Sequence, residues 1–262
     1  MLGPMQQDAA FGLRFKRPTP IVGATLILLL VVWIGFAIAV RFIPGGKAAY
    51  DAMVFDPSLV LQGKQLWAFL TGALLHSLGD TDHLVFNGLA FYFFATDLEQ
   101  AWGRGRFIAF MILCALGGHL VVLLAALIGL GAAPVVGFSG VVLGTITAFG
   151  LTYPTREIFF FFFRLKGLHL VYITLGLQLL TALSFSRVSA AAHLGGMAAG
   201  ALWAAVVSGA LRRAWLRRKL SRLEAQAEAL RGDDPRPRRR SGGPDLRVIR
   251  GGADPKDKRY LN

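Results

Sequence analysis

A serine and a histidine lie at the starts of two apolar segments of this chain. Ser139 is part of a Gly-Phe-Ser-Gly stretch at residues 137–140, and His193 is part of an Ala-His-Leu-Gly-Gly stretch at residues 192–196. A serine hydroxyl is a weak nucleophile until a base removes its proton, and a neutral imidazole suits that task at neutral pH. The two residues together predict acyl transfer, in which Ser139 attacks a carbonyl carbon and His193 carries the proton to the leaving amine.

Acyl transfer also needs hydrogen-bond donors that stabilise the oxyanion of the tetrahedral intermediate. His83 and Asn87 are four residues apart, which places them on one side of a helix. We expect these side chains and the backbone N–H of Ser139 to be the donors. No Asp or Glu lies within the second to sixth apolar segments to orient His193 as a third catalytic member. The sequence therefore predicts a Ser-His dyad whose imidazole ring is oriented by packing.

Glycines surround both residues. Gly137 and Gly140 flank the serine, where a missing side chain lets backbone pass close by and leaves the hydroxyl unobstructed. Gly196 and Gly200 form a small-xxx-small face, which lets two membrane helices touch at their backbones. We expect this face to press the histidine helix against the serine helix.

The composition is that of a polytopic membrane protein. The 262 residues are 55% hydrophobic and only 16% charged, and their mean hydropathy is +0.54; a soluble domain is less apolar and more charged. We predict an all-α bundle of six transmembrane helices, two of which are short against the rule of about 20 residues per span. The predicted spans are residues 21–40, 83–96, 107–130, 139–153, 168–183 and 190–211.

Basic residues predict the orientation of these spans. Lys and Arg cluster before the first span, between the second and third, between the fourth and fifth, and after the sixth. With six spans all four clusters lie on one side, which the positive-inside rule makes cytosolic. We therefore predict a multi-pass protein of the cell (plasma) membrane with both termini in the cytosol. Its predicted parts are a cytosolic segment 1–20, a membrane protease domain 21–211 with an outer loop 41–82, and a cytosolic tail 212–262.

This topology brings the chemical groups to one face of the membrane. His83, Ser139 and His193 lie at or near the starts of the second, fourth and sixth predicted spans. Even-numbered spans all run from the outside inward, so the three side chains are expected near the outer surface. Asn87 lies one helical turn deeper than His83. Four polar groups are thus predicted to converge on one shallow cavity.

The tail carries most of the chain's net charge of +13. Residues 212–262 contain 16 Lys and Arg against 7 Asp and Glu. Nucleic-acid binding by the Arg-rich stretch 236–240 is disfavoured, because the tail has almost no aromatic residues on which bases stack. We expect a short helix at 221–230 and a disordered remainder close to anionic lipid heads, which attract each basic residue by about 1 kcal/mol.

Each polar residue also has a purely structural interpretation. Small residues such as those of Gly-x-Ser-Gly are common wherever membrane helices pack. His83 alone is compatible with a bond to a loop carbonyl, and Asn87 with a bond between helices. His76, His119 and His169 are expected to be structural or interfacial. The co-occurrence of the motifs in this order on one membrane face favours catalysis.

From about Trp67 to Trp203 the chain resembles a rhomboid intramembrane serine protease of the bacterial type with a six-helix core. The resemblance rests on several short motifs, which together are more specific than any one of them. These are His-x-x-x-Asn at His83 and Asn87, Gly-x-Ser-Gly at 137–140, Ala-His-x-x-Gly-x-x-x-Gly at 192–200, and Glu99 with the Gly-Arg-Gly-Arg turn at 103–106.

The resemblance implies Ser139 as nucleophile, His193 as base, and His83 with Asn87 as oxyanion support. It implies cleavage of single-span membrane proteins near the outer ends of their spans, without a metal or organic cofactor. It also implies that the outer loop 41–82 is a membrane-embedded flap, and that the fifth helix with the loop 184–191 is a substrate gate.

Two departures from the family pattern leave a rival interpretation open. Ala68 follows Trp67 where the family often has arginine, and Leu143 lies one turn after the serine where many members have a tyrosine that packs against the histidine. These departures favour a catalytically inactive rhomboid-like protein that binds transmembrane helices, whereas the presence of both Ser139 and His193 favours a protease. A transporter is disfavoured because ion-pairing acids are missing from the predicted spans.

Overall fold

A computed structural model describes residues 17–160, 163–184, 186–209, 213, 217, 219–226 and 228. The chain divides into two compact units, residues 1–213 and 214–262. The elements of the first unit, in chain order, are α1 (Pro20–Phe42), α2 (Gly46–Met53), α3 (Pro57–Leu61), α4 (Ala68–Leu74), α5 (Thr81–Trp102), α6 (Arg104–Leu127), α7 (Ser139–Thr152), β1 (Glu157–Phe160), β2 (Phe163–Lys166), α8 (Gly167–Ser184) and α9 (Arg187–Val207).

In the second unit the described residues 217, 219–226 and 228 are helical. The end of the helix predicted at 221–230, and the tail predicted beyond it, lie outside the described residues. The same is true of residues 1–16 in the predicted cytosolic segment and of residue 185 in the predicted gate loop. That loop is short, because α9 begins at Arg187.

Each of the six apolar segments corresponds to a helix, namely α1, α5, α6, α7, α8 and α9. Among the described residues, three helices are long and apolar enough to cross a membrane: α1, α6 and α9. The helices α7 and α8 are apolar but shorter. By length and composition the structure therefore contains three candidate spans rather than the predicted six.

The second predicted segment differs most from its helix. It was expected to end at residue 96, but α5 continues to Trp102 and includes Asp97 and Glu99. Glu99 is buried, and its carboxylate oxygens accept the backbone N–H groups of Ile21 and Val22 at 3.1 and 3.0 Å. The first N–H groups of a helix have no partner within it. Glu99 therefore caps the start of α1 and fastens it to α5.

The connection between α7 and α8 corrects the all-α prediction. The strands β1 and β2 pair antiparallel with Glu157 opposite Lys166. They come from a run of isoleucine and phenylalanine, and aromatic and β-branched residues favour strands. The described part of the chain is otherwise helical or irregular.

The outer loop 41–82 is largely helical, and His119 on α6 holds it in place. The ring Nδ1–H of His119 donates to the carbonyl of Phe69 in α4 at 2.8 Å, and the ring stacks on Phe55 with centroids 4.3 Å apart. Phe55 also exchanges two backbone hydrogen bonds with Val135, just before α7. The loop is thus joined to the segment that leads to the serine.

The core is centred on α7, which packs against α5, α6, α8 and α9. Its glycines allow this close packing. A methyl group at Gly144 would lie 2.7 Å from both the Cys114 sulfur and the Gly196 carbonyl oxygen. A methyl group at Gly200 would in turn overlap the backbone of Gly144. The backbones of α7 and α9 therefore touch, as small residues allow in membrane bundles.

Candidate active site

Ser139 is the first residue of α7, and the backbone before it is held by a glycine. Gly137 has φ of +132°, a conformation that residues with side chains rarely adopt. Its N–H donates to the carbonyl of Gly72 in α4 at 3.1 Å. A methyl group on Gly137 would lie 3.1 Å from Cε1 of His83. The loop therefore brings the serine close to the His83 ring because residue 137 has no side chain.

The structure brings the side chains of Ser139 and His193 together. The Oγ of Ser139 lies 2.7 Å from Nε2 of His193, which is hydrogen-bonding distance. The glycine contact between their helices accounts for this approach, because Gly196 packs directly on the backbone of Gly140. A methyl group at Gly140 would lie 3.2 Å from the carbonyl oxygen of Ala192. Bulkier residues here would separate the hydroxyl from the ring.

The other ring nitrogen of the histidine is also engaged, by a residue that the sequence analysis missed. Nδ1 of His193 lies 2.6 Å from Oε1 of Gln178 on α8. An amide oxygen only accepts, so Nδ1 carries the proton and Nε2 presents a lone pair to Ser139. The sequence does carry a signal for Gln178, which is a lone amide among the leucines of α8. Polar residues inside membrane helices are functional candidates.

A cavity of about 80 Å³ opens beside the hydroxyl. This volume has room for a few water molecules, since one needs about 10–15 Å³ of such space. Among the described residues, no group of His, Cys, Asp and Glu forms a metal site. The wall of the cavity includes Ser139, His193, His83, His119, Ser189, Gly137 and Gly140.

His83 and Asn87 take different places around this cavity. His83 lines it, whereas Asn87 is buried behind it with Nδ2 donating to Nε2 of His76 at 3.2 Å. His76 precedes α5, and burial together with nearby His83 lowers the pKa of His76 to about 4. The neutral His76 ring is thus the acceptor that Asn87 needs. His76, expected to be structural or interfacial, lies between Asn87 and His83, and the centroids of the His76 and His83 rings are 5.5 Å apart.

The two departures from the family pattern both lie in apolar packing. Leu143 is partly buried and packs on the main core cluster. Ala68 is fully buried at the start of α4, in a cluster with Phe55 and Val122. Neither position holds a polar side chain that reaches the site.

Comparison with known proteins gives two results. The family model described as Rhomboid domain matches residues 63–210, more than half of the chain. Over 169 residues the chain is 28% identical to the Rhomboid protease GluP of Bacillus subtilis (strain 168). That match covers 63% of this chain and 31% of the relative, so the chain spans less than a third of that relative's length.

Proposed function

The chain belongs to the rhomboid family, and we propose that it is an intramembrane serine endopeptidase that hydrolyses peptide bonds in or near transmembrane segments of membrane proteins. The observation that carries the proposal is the 2.7 Å contact between the Ser139 hydroxyl and Nε2 of His193. A nucleophile and its base within hydrogen-bonding distance are the mark of covalent catalysis. Their position on the wall of a cavity with room for water supports the same conclusion.

In the proposed acylation step, Oγ of Ser139 attacks the scissile carbonyl carbon while Nε2 of His193 takes the hydroxyl proton. The carbonyl electrons move to oxygen and form a tetrahedral oxyanion. As this intermediate collapses, His193 gives its proton to the leaving nitrogen and the C–N bond breaks. The product is an acyl-enzyme on Ser139 and a free amine.

In the deacylation step, a water molecule in the cavity attacks the acyl carbon while His193 takes its proton. The second tetrahedral intermediate collapses, His193 returns a proton to Oγ, and a carboxylic acid leaves. The cavity beside Ser139 has the volume that this water needs.

The oxyanion would be stabilised by two kinds of donor. Ser139 begins α7, and the first intrahelical bond of that region runs from Val142 N–H to the Phe138 carbonyl. Backbone N–H groups of the first turn are therefore available, with the positive end of the helix dipole behind them. His83 lines the cavity as a side-chain donor. We assign Asn87 a supporting role, because its amide is engaged by His76.

We propose that α1, α5, α6, α7, α8 and α9 cross the plasma membrane as six spans, with both termini cytosolic. The 14 residues of α7 reach only about 21 Å at 1.5 Å per residue. Because α7 is mostly buried among other helices, its shortness need not expose polar backbone to lipid. A short central helix also lets the serine lie below the membrane surface.

The proposed substrates are single-span membrane proteins that reach the site from the bilayer, and the basic tail is proposed to lie near anionic lipids. Purified protein in liposomes should cleave a reporter substrate with one transmembrane span, and Ser139→Ala should reduce cleavage to background. Continued cleavage by that variant contradicts the proposal. Binding of the reporter without cleavage by the wild type would indicate the inactive rhomboid-like alternative.

A further inference from the structure

Three helices meet in one chain of hydrogen bonds. Oε1 of Gln178 on α8 lies 2.6 Å from Nδ1 of His193 on α9, and Nε2 of the same ring lies 2.7 Å from Oγ of Ser139 on α7. We propose that Gln178 is a positioning residue that holds His193 in the tautomer and orientation needed to accept the serine proton. This inference rests on the proposed protease function.

The chemistry of the amide explains the choice of tautomer. The imidazole of a neutral histidine has one N–H and one lone pair, and they exchange places between the two tautomers. An acceptor fixed at Nδ1 keeps the proton there and leaves the lone pair at Nε2. In serine proteases with a third catalytic member a carboxylate performs this task and also stabilises the imidazolium. An amide oxygen is uncharged, so Gln178 orients the ring with only a dipole to offset the positive charge.

The surroundings of His193 leave this task to Gln178. Among the described residues, the other titratable side chains that line the cavity are His83 on α5 and Cys114 and His119 on α6. Nδ1 of His119 is bonded to the Phe69 carbonyl. Within the described chain, no Asp, Glu, Lys or Arg lines this cavity. The Leu143 side chain, one turn after the serine, is aliphatic and offers no hydrogen bond.

The position of Gln178 in α8 also argues for a role at the site. Its neighbours Leu177 and Leu179 are exposed on the outside of the bundle, whereas Gln178 is half-buried and faces α9. Polar side chains in membrane helices face the bundle interior and pair there. A purely structural bond between α8 and α9 would have the same geometry, so the test must separate orientation of the base from helix packing.

The test uses the full chain in liposomes and three single variants. Gln178→Met keeps the length of the side chain without the amide, and Gln178→Glu keeps an acceptor oxygen and adds a charge. Thr181→Val is the matched control, because in the described part of the chain the Thr181 hydroxyl bonds within its own helix, to the Leu177 carbonyl at 2.9 Å. We would measure, across pH, the rate at which a fluorophosphonate labels Ser139, and kcat and KM on a reporter substrate.

We expect Gln178→Met to lower the labelling rate and kcat about 10- to 100-fold, part of the 10²–10⁴ that a positioned base contributes, with KM unchanged. Gln178→Glu should retain activity, with the acid limb of its pH profile moved to higher pH, because a carboxylate favours the charged imidazolium. Thr181→Val should match the wild type. A role in helix packing alone would slow Gln178→Met only in step with its loss of folded protein, which thermal melting measures.

The inference is overturned if Gln178→Met stays within about twofold of the wild type, or if Gln178→Glu shows an unshifted pH profile. Should Gln178→Met fail to fold, as judged by its thermal melting, the profile of Gln178→Glu alone decides. Failure of the wild type itself to be labelled contradicts the proposed protease function, and the positioning role falls with it. The two failures are therefore distinguishable.

Discussion

Two polar contacts between helices of this bundle, one made by Glu99 and one by Gln178, differ in the groups that they connect. The Glu99 carboxylate on α5 accepts the backbone N–H groups of Ile21 and Val22. The Gln178 amide on α8 instead leads through His193 to a serine hydroxyl beside a cavity. The first contact joins groups that have no reaction to perform, whereas the second ends at a nucleophile. Burial of a polar group in a membrane chain is thus weaker support for catalysis than the presence of a reactive atom beside space for a substrate.

Apart from removal of the nucleophile, the largest effect on the rate should come from removal of the base. His193→Ala takes away the proton acceptor, so reporter cleavage should fall by on the order of 10²–10⁴. Because the glycine contact between α7 and α9 remains, thermal melting in detergent should change little. Loss of rate in step with loss of folded protein would instead make His193 a packing residue.

A smaller effect is expected at the residue that lies behind the cavity. Asn87→Ala removes the donor to His76 but leaves His83 and the first turn of α7 in place. We expect cleavage to fall about tenfold, below the 10²–10³ that is typical when a direct oxyanion donor is removed. Steady-state kinetics with the reporter measures this. A loss of cleavage rate of about 10³ or more would mean that Asn87 contacts the oxyanion itself.

The smallest effect on the rate should come from the other polar contact. Glu99→Gln leaves one acceptor oxygen for two N–H groups, which should destabilise the fold by about 1–3 kcal/mol, the usual penalty for an unsatisfied buried group. Activity per folded molecule should stay within about twofold of the wild type, because Glu99 bonds to the start of α1 and does not line the cavity beside Ser139. Melting temperature and active-site titration separate the two quantities. A large drop in activity per folded molecule would mean that the Glu99 contact, like the Gln178 contact, acts on the site and is not only structural.

Much of this arrangement follows from sequence patterns. Apolar segments of the sequence located six helices of the membrane domain, because hydrophobic runs of that length have few alternatives to helix. Counting the spans put His83, Ser139 and His193 at one end of the bundle, and in the structure all three line one cavity. The small residues at Gly196 and Gly200 indicated the close approach of helices that allows this.

Other features depend on tertiary contacts that a linear pattern does not encode. The end of α5 was missed because Asp97 and Glu99 interrupt its apolar run, and Glu99 is tolerated there only because α1 supplies two donors. Gln178 was missed because its partner lies 15 residues away on another helix. The strands β1 and β2 form in a run that was assigned to a loop between spans. For Glu99 and Gln178, the residue that accounts for the position lies on a different helix. For β1 and β2, the strand propensity of the phenylalanine-rich run is the signal that the sequence carries.

The central claim is that His193 activates Ser139, and fluorophosphonate labelling tests it without knowledge of the natural substrate. Purified wild-type protein should form a covalent adduct that peptide mapping locates at Ser139. Ser139→Ala should form none, and His193→Ala should react far more slowly. A wild-type protein that stays unlabelled, or a Ser139→Ala variant that is labelled at the wild-type rate, would contradict the claim.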